Sequence, residues 1–388
     1  MAKSTLKVRL FPRAEATVRA GHPWVFSDSV KSTNRSGEAG ELAVVYDRQD
    51  RFLAVGFWDP DSPIPLRIAH RGEPVRLDRS WWLSRAAECR ARREVLFSGE
   101  TNGYRCINGD SEGFPGLVVD RYGDTLVVKL YSAAWISRWD EMEGVLREVF
   151  QPTFLIRRVA RNLSGIEEGF VGETGPEVVV FQEMGLHFEA AVRHGQKTGF
   201  FLDQRENRAR VGELAKGRDV LNMFSFSGGF SVHAARGGAS RVTDVDISAH
   251  ALESADRNFA LNPELSSVPR TGVQADAFRW MGETQERWDL IVTDPPSLAK
   301  RERDKAGALK AYRALNAQAI RCLKPGGVLV AASCSAHVRA GEFLGMIREE
   351  VRRSGRESRE LWSAGHAPDH PAAFAEAHYL KAVAMELG

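Results

Sequence analysis

The chain has 388 residues, of which 43% are hydrophobic and 27% charged, an ordinary soluble composition with enough length for two or three domains. Lys plus Arg total 53 against 51 Asp plus Glu, so the net charge of +2 does not mark the whole chain as a nucleic-acid binder, and only local clusters can carry that meaning. Four scattered cysteines (Cys89, Cys106, Cys322, Cys334) form no CxxC pair, which argues against a zinc site and for a reduced compartment. MAKSTLKVRLFPR has no apolar core of a signal peptide, and no run approaches the roughly 20 apolar residues of a membrane span, so a cytoplasmic location is expected.

Residues 1–75 are expected to form short strands between turns. LKVRLF alternates at period two, ELAVVYD and RFLAVGFW are rich in β-formers, and PDSPIPLRI ends in another strand. A small β-barrel or sandwich follows. DRSWWLSRAAECRARREVLF (78–97) has the spacing of a linker helix, spanning 76–98, with Trp82, Ala86, Cys89 and Arg93 near one face. Over 99–185 the pattern predicts a small α+β domain: a hairpin turning at Gly123–Asp124, a helix over 135–149, and β pattern in FLIRRVAR and EVVVFQEMGLHFEAAV.

From 186 to 388 the alternation changes. DVLNMF, RVTDVD, DLIVTD and GVLVAAS alternate with helical stretches beginning near Phe230, Ala249, Ala308 and Gly341. This predicts a parallel, doubly wound, Rossmann-like α/β sheet, whose ligands bind at the carboxyl ends of the strands. Four features fall there. Gly228 and Gly229 let the first loop turn tightly toward a helix N-terminus, although neither GxGxxG nor GxxxxGK[ST] is present. Asp246 ends the second strand, 18 residues after Gly228, where a carboxylate can accept from both ribose hydroxyls of a nucleoside. Its plainer alternative is a helix cap, a role Ser248 could take instead. Asp276 follows the third strand, where it could meet an adenine amino group or serve only as a turn acid. Asp294–Pro295–Pro296 places a carboxylate on a proline-stiffened loop after the fourth strand. The series is similar to class I S-adenosylmethionine-dependent methyltransferases, whose cofactor has no phosphate for a glycine cradle to hold.

The fifth strand ends in Ser333–Cys334–Ser335, at the same edge as Asp294. Methylation at nitrogen needs no thiol, whereas carbon 5 of a pyrimidine is a poor nucleophile until a thiolate adds to C6. Cys334 is therefore the candidate nucleophile, with Asp294, if protonated, as the acid near N3. The other three cysteines are expected to be structural.

HGQKTGFFLDQRENR (194–208), LNMFSFSGGF (221–230), DPPSLAK (294–300) and SCS (333–335) resemble the RlmI-type bacterial 23S ribosomal RNA 5-methylcytosine methyltransferases. GHPWVFSDSV (21–30) resembles the N-terminal PUA domain of that family, an RNA-binding β-barrel, and GFPGLVVDRYGD (113–124) its central domain. The resemblance runs over essentially the whole chain. It implies S-adenosylmethionine as methyl donor, cytosine in large-subunit rRNA as substrate, and Cys334 and Asp294 as the catalytic pair. It puts cofactor contacts on Gln204, Phe224, Ser225, Gly228, Asp246, Asp276 and Asp294. No metal is expected from the cysteine pattern, and a homodimer is left open. Where a different subgroup of RNA 5-methylcytosine enzymes has a second cysteine, this chain has Ser297, so a two-cysteine release is not available; the base that removes the C5 proton is unassigned.

Residues 193–218 hold seven Lys/Arg against three acids, and 300–313 hold six against two. Single charge runs are usually solvated faces, but clusters on both sides of the motifs suit phosphate contacts. Lys197, Arg205, Lys300, Arg301 and Arg158 are the expected RNA contacts. Trp24, Phe26 and His22 could stack on bases, with a core role the alternative for Trp24. Two other readings stand beside the main one: an RNA N-methyltransferase, for example at guanine, and a non-catalytic rRNA-binding assembly factor.

Overall fold

The computed structural model describes residues 4–97, 99–160, 163, 169–171 (backbone only), 175–299 and 301–388. Lys300 lies outside the described residues. The chain divides into two compact units. The first comprises Met1–Gln182, Ala190–Phe200 and Pro368–Ala375, the second Glu183–Glu189, Phe201–Ala367 and Glu376–Gly388.

The first unit opens with β1 (Leu6–Leu10), α1 (Pro12–Arg19), β2 (Trp24–Val25), β3 (Val30–Thr33), β4 (Leu42–Tyr46), β5 (Phe52–Trp58) and β6 (Leu66–Arg71). The strands form one six-stranded sheet in the order β2-β6-β5-β4-β1-β3, antiparallel except where β1 runs parallel to β4. Period-two alternation sends Leu6, Val8 and Leu10 into the core and Lys7 outward. Sequence patterning did not anticipate α1. Pro12 presets the backbone at its first turn, and PRAEATVR supplies helix formers.

Next comes α2 (Arg79–Leu96), capped by the Asp78 carboxylate accepting from the Trp81 amide. Its buried residues are Trp82, Ala86, Cys89 and Arg93, the stripe its spacing predicts. Trp82 stacks on Phe57, and Trp135 meets both rings edge-on. The buried Arg93 guanidinium grips Glu112 with both ends, at 2.5 and 2.7 Å.

A five-stranded sheet follows, built from β7 (Gly103–Asn108), β8 (Leu117–Tyr122), β9 (Thr125–Leu130), β10 (Phe154–Val159) and β11 (Gly169–Val171) in the order β11-β10-β9-β8-β7, with α3 (Trp139–Phe150) connecting β9 to β10. The β8–β9 hairpin turns at Gly123–Asp124, as expected. The helix expected over 135–149 starts four residues later, because 133–135 form a 3-10 turn with the Ser132 hydroxyl accepting from Ala134. Strands β12 (Val178–Glu183) and β13 (Leu186–Ala191) pair across a two-residue turn in which Met184 and Gly185 both have positive φ; their residues are divided between the units.

The second unit continues with α4 (Arg205–Leu214), β14 (Asp219–Met223), α5 (Gly229–Arg236), β15 (Arg241–Asp246), α6 (Ala249–Ala260), β16 (Arg270–Gln274), α7 (Ala277–Glu283), β17 (Trp288–Thr293), α8 (Lys305–Arg321), β18 (Leu323–Ser333), α9 (Ala340–Arg353), β19 (Ser358–Ala364) and β20 (Lys381–Leu387). Its seven-stranded sheet has the order β16-β15-β14-β17-β18-β20-β19. The first five strands are parallel, and β20 runs antiparallel between β18 and β19. α4, α5 and α6 pack in one group, and α7, α8 and α9 in another. The strand order reverses between β14 and β17, which opens the crevice where such sheets bind ligands. The final antiparallel pair lies beyond the alternation read from the sequence: SRELWSA carries no apolar run, and the apolar KAVAMEL is not followed by a helix.

Glu183 is fully buried in this unit, held by Arg208 at 2.8 and 2.5 Å and by His233 at 3.0 Å. Burial alone would raise its carboxyl, but Arg208 and His233 overcome that and hold it at about 2. Among the described residues no helix is long and apolar enough to cross a membrane.

Candidate active site

The loops after β14, β15, β17 and β18 bring the predicted motifs to one edge of the sheet. The β14 loop is the most constrained. Phe224, Phe226 and Gly228 have φ of +59°, +47° and +73°. Left-handed backbone at two phenylalanines costs about 1–3 kcal/mol each and persists only where the surroundings enforce it. Here the Ser225 amide donates to the Val245 carbonyl, the Phe226 amide to Asp246 Oδ2, and the Gly228 amide to the Ser225 carbonyl, at 3.1, 2.9 and 2.9 Å. A Cβ at position 228 would lie 2.8 Å from that of Ala255, so glycine is required there by contact as well as by φ. The Ser225 hydroxyl is buried with no partner among the described residues.

Asp246 ends β15, half-buried. Besides Phe226 it accepts from the Ser248 amide at 2.9 Å, while Ser248 itself caps α6. The helix-cap alternative therefore belongs to Ser248, and the carboxylate keeps lone pairs for hydroxyl donors. Ile247, next in the chain, is 69% exposed, an uncovered apolar side chain that patterning passed over. Asp276 is exposed and caps α7, accepting from the Arg279 amide at 2.9 Å.

Asp294 follows β17. Gln204 Nε2 donates to its Oδ2 at 2.9 Å, and the other end of the Gln204 amide accepts from Asn207 at 2.7 Å. Sequence reasoning named both ends of the Gln204–Asp294 bond but not the bond, and it missed Asn207.

The Ser–Cys–Ser loop is tied to the Asp–Pro–Pro loop. The buried Ser335 hydroxyl accepts from the amides of Leu298 and Ala299 at 3.1 and 3.3 Å and meets Ser297 Oγ at 3.2 Å. Tyr312, buried on α8, places its hydroxyl 2.9 Å from Ser335 Oγ and accepts from Ser333 Oγ at 2.9 Å. Both flanking serines are thus buried as fasteners, while Cys334 between them is half-buried. The other cysteines differ: burial pushes the Cys89 and Cys106 thiols up to about 12 and raises that of Cys322, which makes all three inert. Lys381, the first residue of β20, donates to the carbonyls of Ser335 and Tyr379. Burial pushes its ammonium down to about 8, against the opposing pull of Cys334 and Glu342. A lone lysine heading an apolar strand was the sequence signal for it.

The expected RNA contacts are placed unevenly. Arg301 is exposed, 3.5 Å from Asp304, and Lys197 is half-buried with φ of +52°. Arg205 is fully buried with its Nε on Glu206 at 3.1 Å, and Arg158, 9% exposed, donates to the Gly195 carbonyl at 2.6 Å. Neither therefore offers its guanidinium at the surface as a charge cluster in the sequence suggests. Trp24 is half-buried, edge-on to Phe374 at 4.8 Å with Arg67 over its ring, while Phe26 is 41% exposed.

A parallel sheet reversing at its first strand, with carboxylates ending the second and fourth strands and a strained loop after the first, defines a class I S-adenosylmethionine-dependent methyltransferase. Residues 156–380 match the family model described as S-adenosylmethionine-dependent methyltransferase, and residues 8–71 match a PUA-like domain. The Deinococcus radiodurans ribosomal RNA large subunit methyltransferase is 54% identical, with 98% of this chain and 97% of that protein covered. The ribosomal RNA large subunit methyltransferase I of Tolumonas auensis is 34% identical, with 96% of each covered. Among solved structures, a Streptococcus mutans chain assigned to the SAM-dependent methyltransferases superposes with a TM-score of 0.84 at 23% identity, over 98% of this chain and 99% of that one. A chain crystallised with SAH reaches 0.85 at 23% identity over the same shares, and both likenesses concern the fold. The chain belongs to the S-adenosylmethionine-dependent methyltransferases and, within them, to the ribosomal RNA large subunit methyltransferase I family.

Proposed function

We propose that this protein methylates carbon 5 of a cytosine in large-subunit ribosomal RNA through a covalent adduct of Cys334 with C6. The observation that carries the reading is the Ser333–Cys334–Ser335 loop: two buried serines bolt it to Tyr312 and to the Asp–Pro–Pro loop, and the half-exposed side chain between them is a thiol. A nitrogen methyltransferase has no use for such an arrangement.

The residues present fit the cofactor. Asp246 retains acceptor capacity for two hydroxyls, Gly228 and the strained Phe224–Ser225 backbone leave room at the start of α5, and the orphaned Ser225 hydroxyl supplies a hydrogen-bonding group. Gln204 and Asp294 complete the set, with Asp276 at its margin. Bound S-adenosylmethionine supplies an electrophilic methyl group on its sulfonium. The chain's own residues do the rest. Cys334 as thiolate forms a bond to C6, the electron pair shifts toward N3, and Asp294, if protonated, donates there. C5 then has enamine character and would take up the methyl group that the bound cofactor supplies; loss of the C5 proton expels the thiolate. Ser297, held on Ser335 and donating to the Ala299 carbonyl, offers no second thiol for that release. Arg301 and Lys197 are the cations we assign to phosphate, so binding should weaken steeply with salt. A target base within a duplex has to be extruded or presented single-stranded.

Bisulfite sequencing of 23S rRNA from cells with and without the protein tests the reading. One cytosine is expected to lose its protection when the protein is absent; no such loss would sink it. The cofactor assignment has its own test. Asp246→Ala removes the acceptor that holds the Phe226 amide together with the proposed ribose partner, and should weaken S-adenosylmethionine binding by calorimetry at least tenfold, about 1.5–3 kcal/mol. Unchanged affinity would remove Asp246 from the site.

A further inference from the structure

We propose that Lys381 is a positioning residue whose ammonium group holds the Cys334 sulfur as a thiolate. The inference rests, for its catalytic meaning, on the covalent reading above.

β20 runs antiparallel to β18, and in that register Lys381 lies opposite Ser333, the last residue before Cys334. Its side chain is buried, with 2% of the residue exposed. A buried lysine is rare unless something of opposite sign compensates the charge. Two of the three N–H groups donate to the carbonyls of Ser335 and Tyr379, which are dipoles and not anions. The third has no acceptor among the described residues, and Lys381 makes no ion pair among them. The Ser335 bond fixes the ammonium at the carbonyl of the residue that follows Cys334. Cys334 lies between Ser333, the cross-strand partner of Lys381, and Ser335, its hydrogen-bond acceptor, and both Cys334 and Glu342 favour the charged ammonium against burial. Glu342, on α9, is already engaged at 2.7 Å by Lys305 from α8. Cys334, placed between the two residues that flank the ammonium, is therefore the group whose anion this buried charge can stabilise.

The other ionisable groups nearby do not replace that role. Tyr312, on α8, keeps its proton, since burial raises its hydroxyl, and it spends its bonds on Ser333 and Ser335. His337 lies 3.3 Å from Glu302 on the outer side of the loop, and His366 packs against Tyr379 and accepts from the Leu380 amide. Even though burial lowers the Lys381 ammonium to about 8, most of it stays charged at neutral pH, and a thiolate beside it stabilises the charge further. When the thiol ionises, its proton leaves to water and the ammonium is retained.

The test is alkylation of Cys334 in the full-length protein by iodoacetamide, followed by mass spectrometry of its peptide from pH 5.5 to 10. The wild-type thiol should reach half its maximal rate at least one pH unit below the ordinary value of about 8.5. Lys381→Met should move that midpoint up by at least one unit, a tenfold loss of reactivity at pH 7, while Lys381→Arg keeps it low. An unchanged midpoint in Lys381→Met overturns the proposal. So does a wild-type midpoint at or above the ordinary value, a result that needs no variant to fold. The covalent reading is judged separately by methylation with Cys334→Ala. If that variant methylates while the alkylation profile still depends on Lys381, the covalent reading fails and the lysine–thiolate pair stands. If it is inactive while the profile ignores Lys381, the reverse holds.

Discussion

Cys334→Ala is expected to lower methyl transfer from radiolabelled S-adenosylmethionine to rRNA by at least about a thousandfold, some 4 kcal/mol of transition-state stabilisation. Without addition at C6 the C5 position remains an unreactive vinyl carbon, and nothing else in the Ser–Cys–Ser loop can supply that activation. The two serines are engaged by Tyr312 and the Leu298 and Ala299 amides, all of which the alanine variant keeps. S-Adenosylmethionine binding should therefore stay within twofold by calorimetry, which separates loss of chemistry from loss of fold. A second readout is independent of turnover. RNA carrying 5-fluorocytosine cannot give up a proton at C5, so the wild-type protein should stall as a covalent complex that survives denaturing electrophoresis. Cys334→Ala should form none. Methylation retained in the alanine variant would remove the covalent mechanism and point to a ring or exocyclic nitrogen as the acceptor.

The largest effect expected on stability lies away from the reaction. Glu183→Gln should cost about 3–5 kcal/mol in urea unfolding, because it removes the carboxylate that grips the buried Arg208 guanidinium at both ends. Replacing both partners, Glu183→Gln with Arg208→Met, should recover part of the loss, since removing one ion of a buried pair is worse than removing both. The pH dependence follows from the same pair. The folded carboxyl sits at about 2, below the ordinary glutamate value near 4.5, so its contribution is fully present above pH 4.5 and is lost as pH falls toward 2. That term is worth about 3 kcal/mol by the size of the shift. His233 acts in the same direction: burial lowers its ring below the ordinary value, so acid favours the unfolded chain that can protonate it. The wild-type protein should thus lose stability below pH 4.5 more steeply than Glu183→Gln. Parallel acid limbs would show that Glu183 contributes nothing.

Much of this protein was legible from residue patterns alone because its main sheet is parallel and buried on both faces. Such strands appear as continuous apolar runs, and the first polar residue after each run marks the ligand-binding edge. Gly228, Asp246, Asp294 and Cys334 all stood at such breaks, and α2 showed its buried stripe of Trp82, Ala86, Cys89 and Arg93 through simple helical spacing.

What the tertiary structure decided is which of those residues meet. Gln204 reaches Asp294 across 90 positions, Tyr312 joins Ser333 and Ser335 from a helix earlier in the chain, and Lys381 arrives on a strand inserted antiparallel beside β18. Charge counting placed Arg205 in a basic surface cluster, whereas packing buries it completely. Hydrophobic periodicity reports the face of each element and where it ends, because solvent partitioning acts on every residue locally. Hydrogen bonds between distant side chains depend on sheet order and register, which no short window of sequence encodes. The cysteine at the end of β18 could be singled out from its neighbours in sequence; the fasteners around it, and the lysine beside it, came only with the fold.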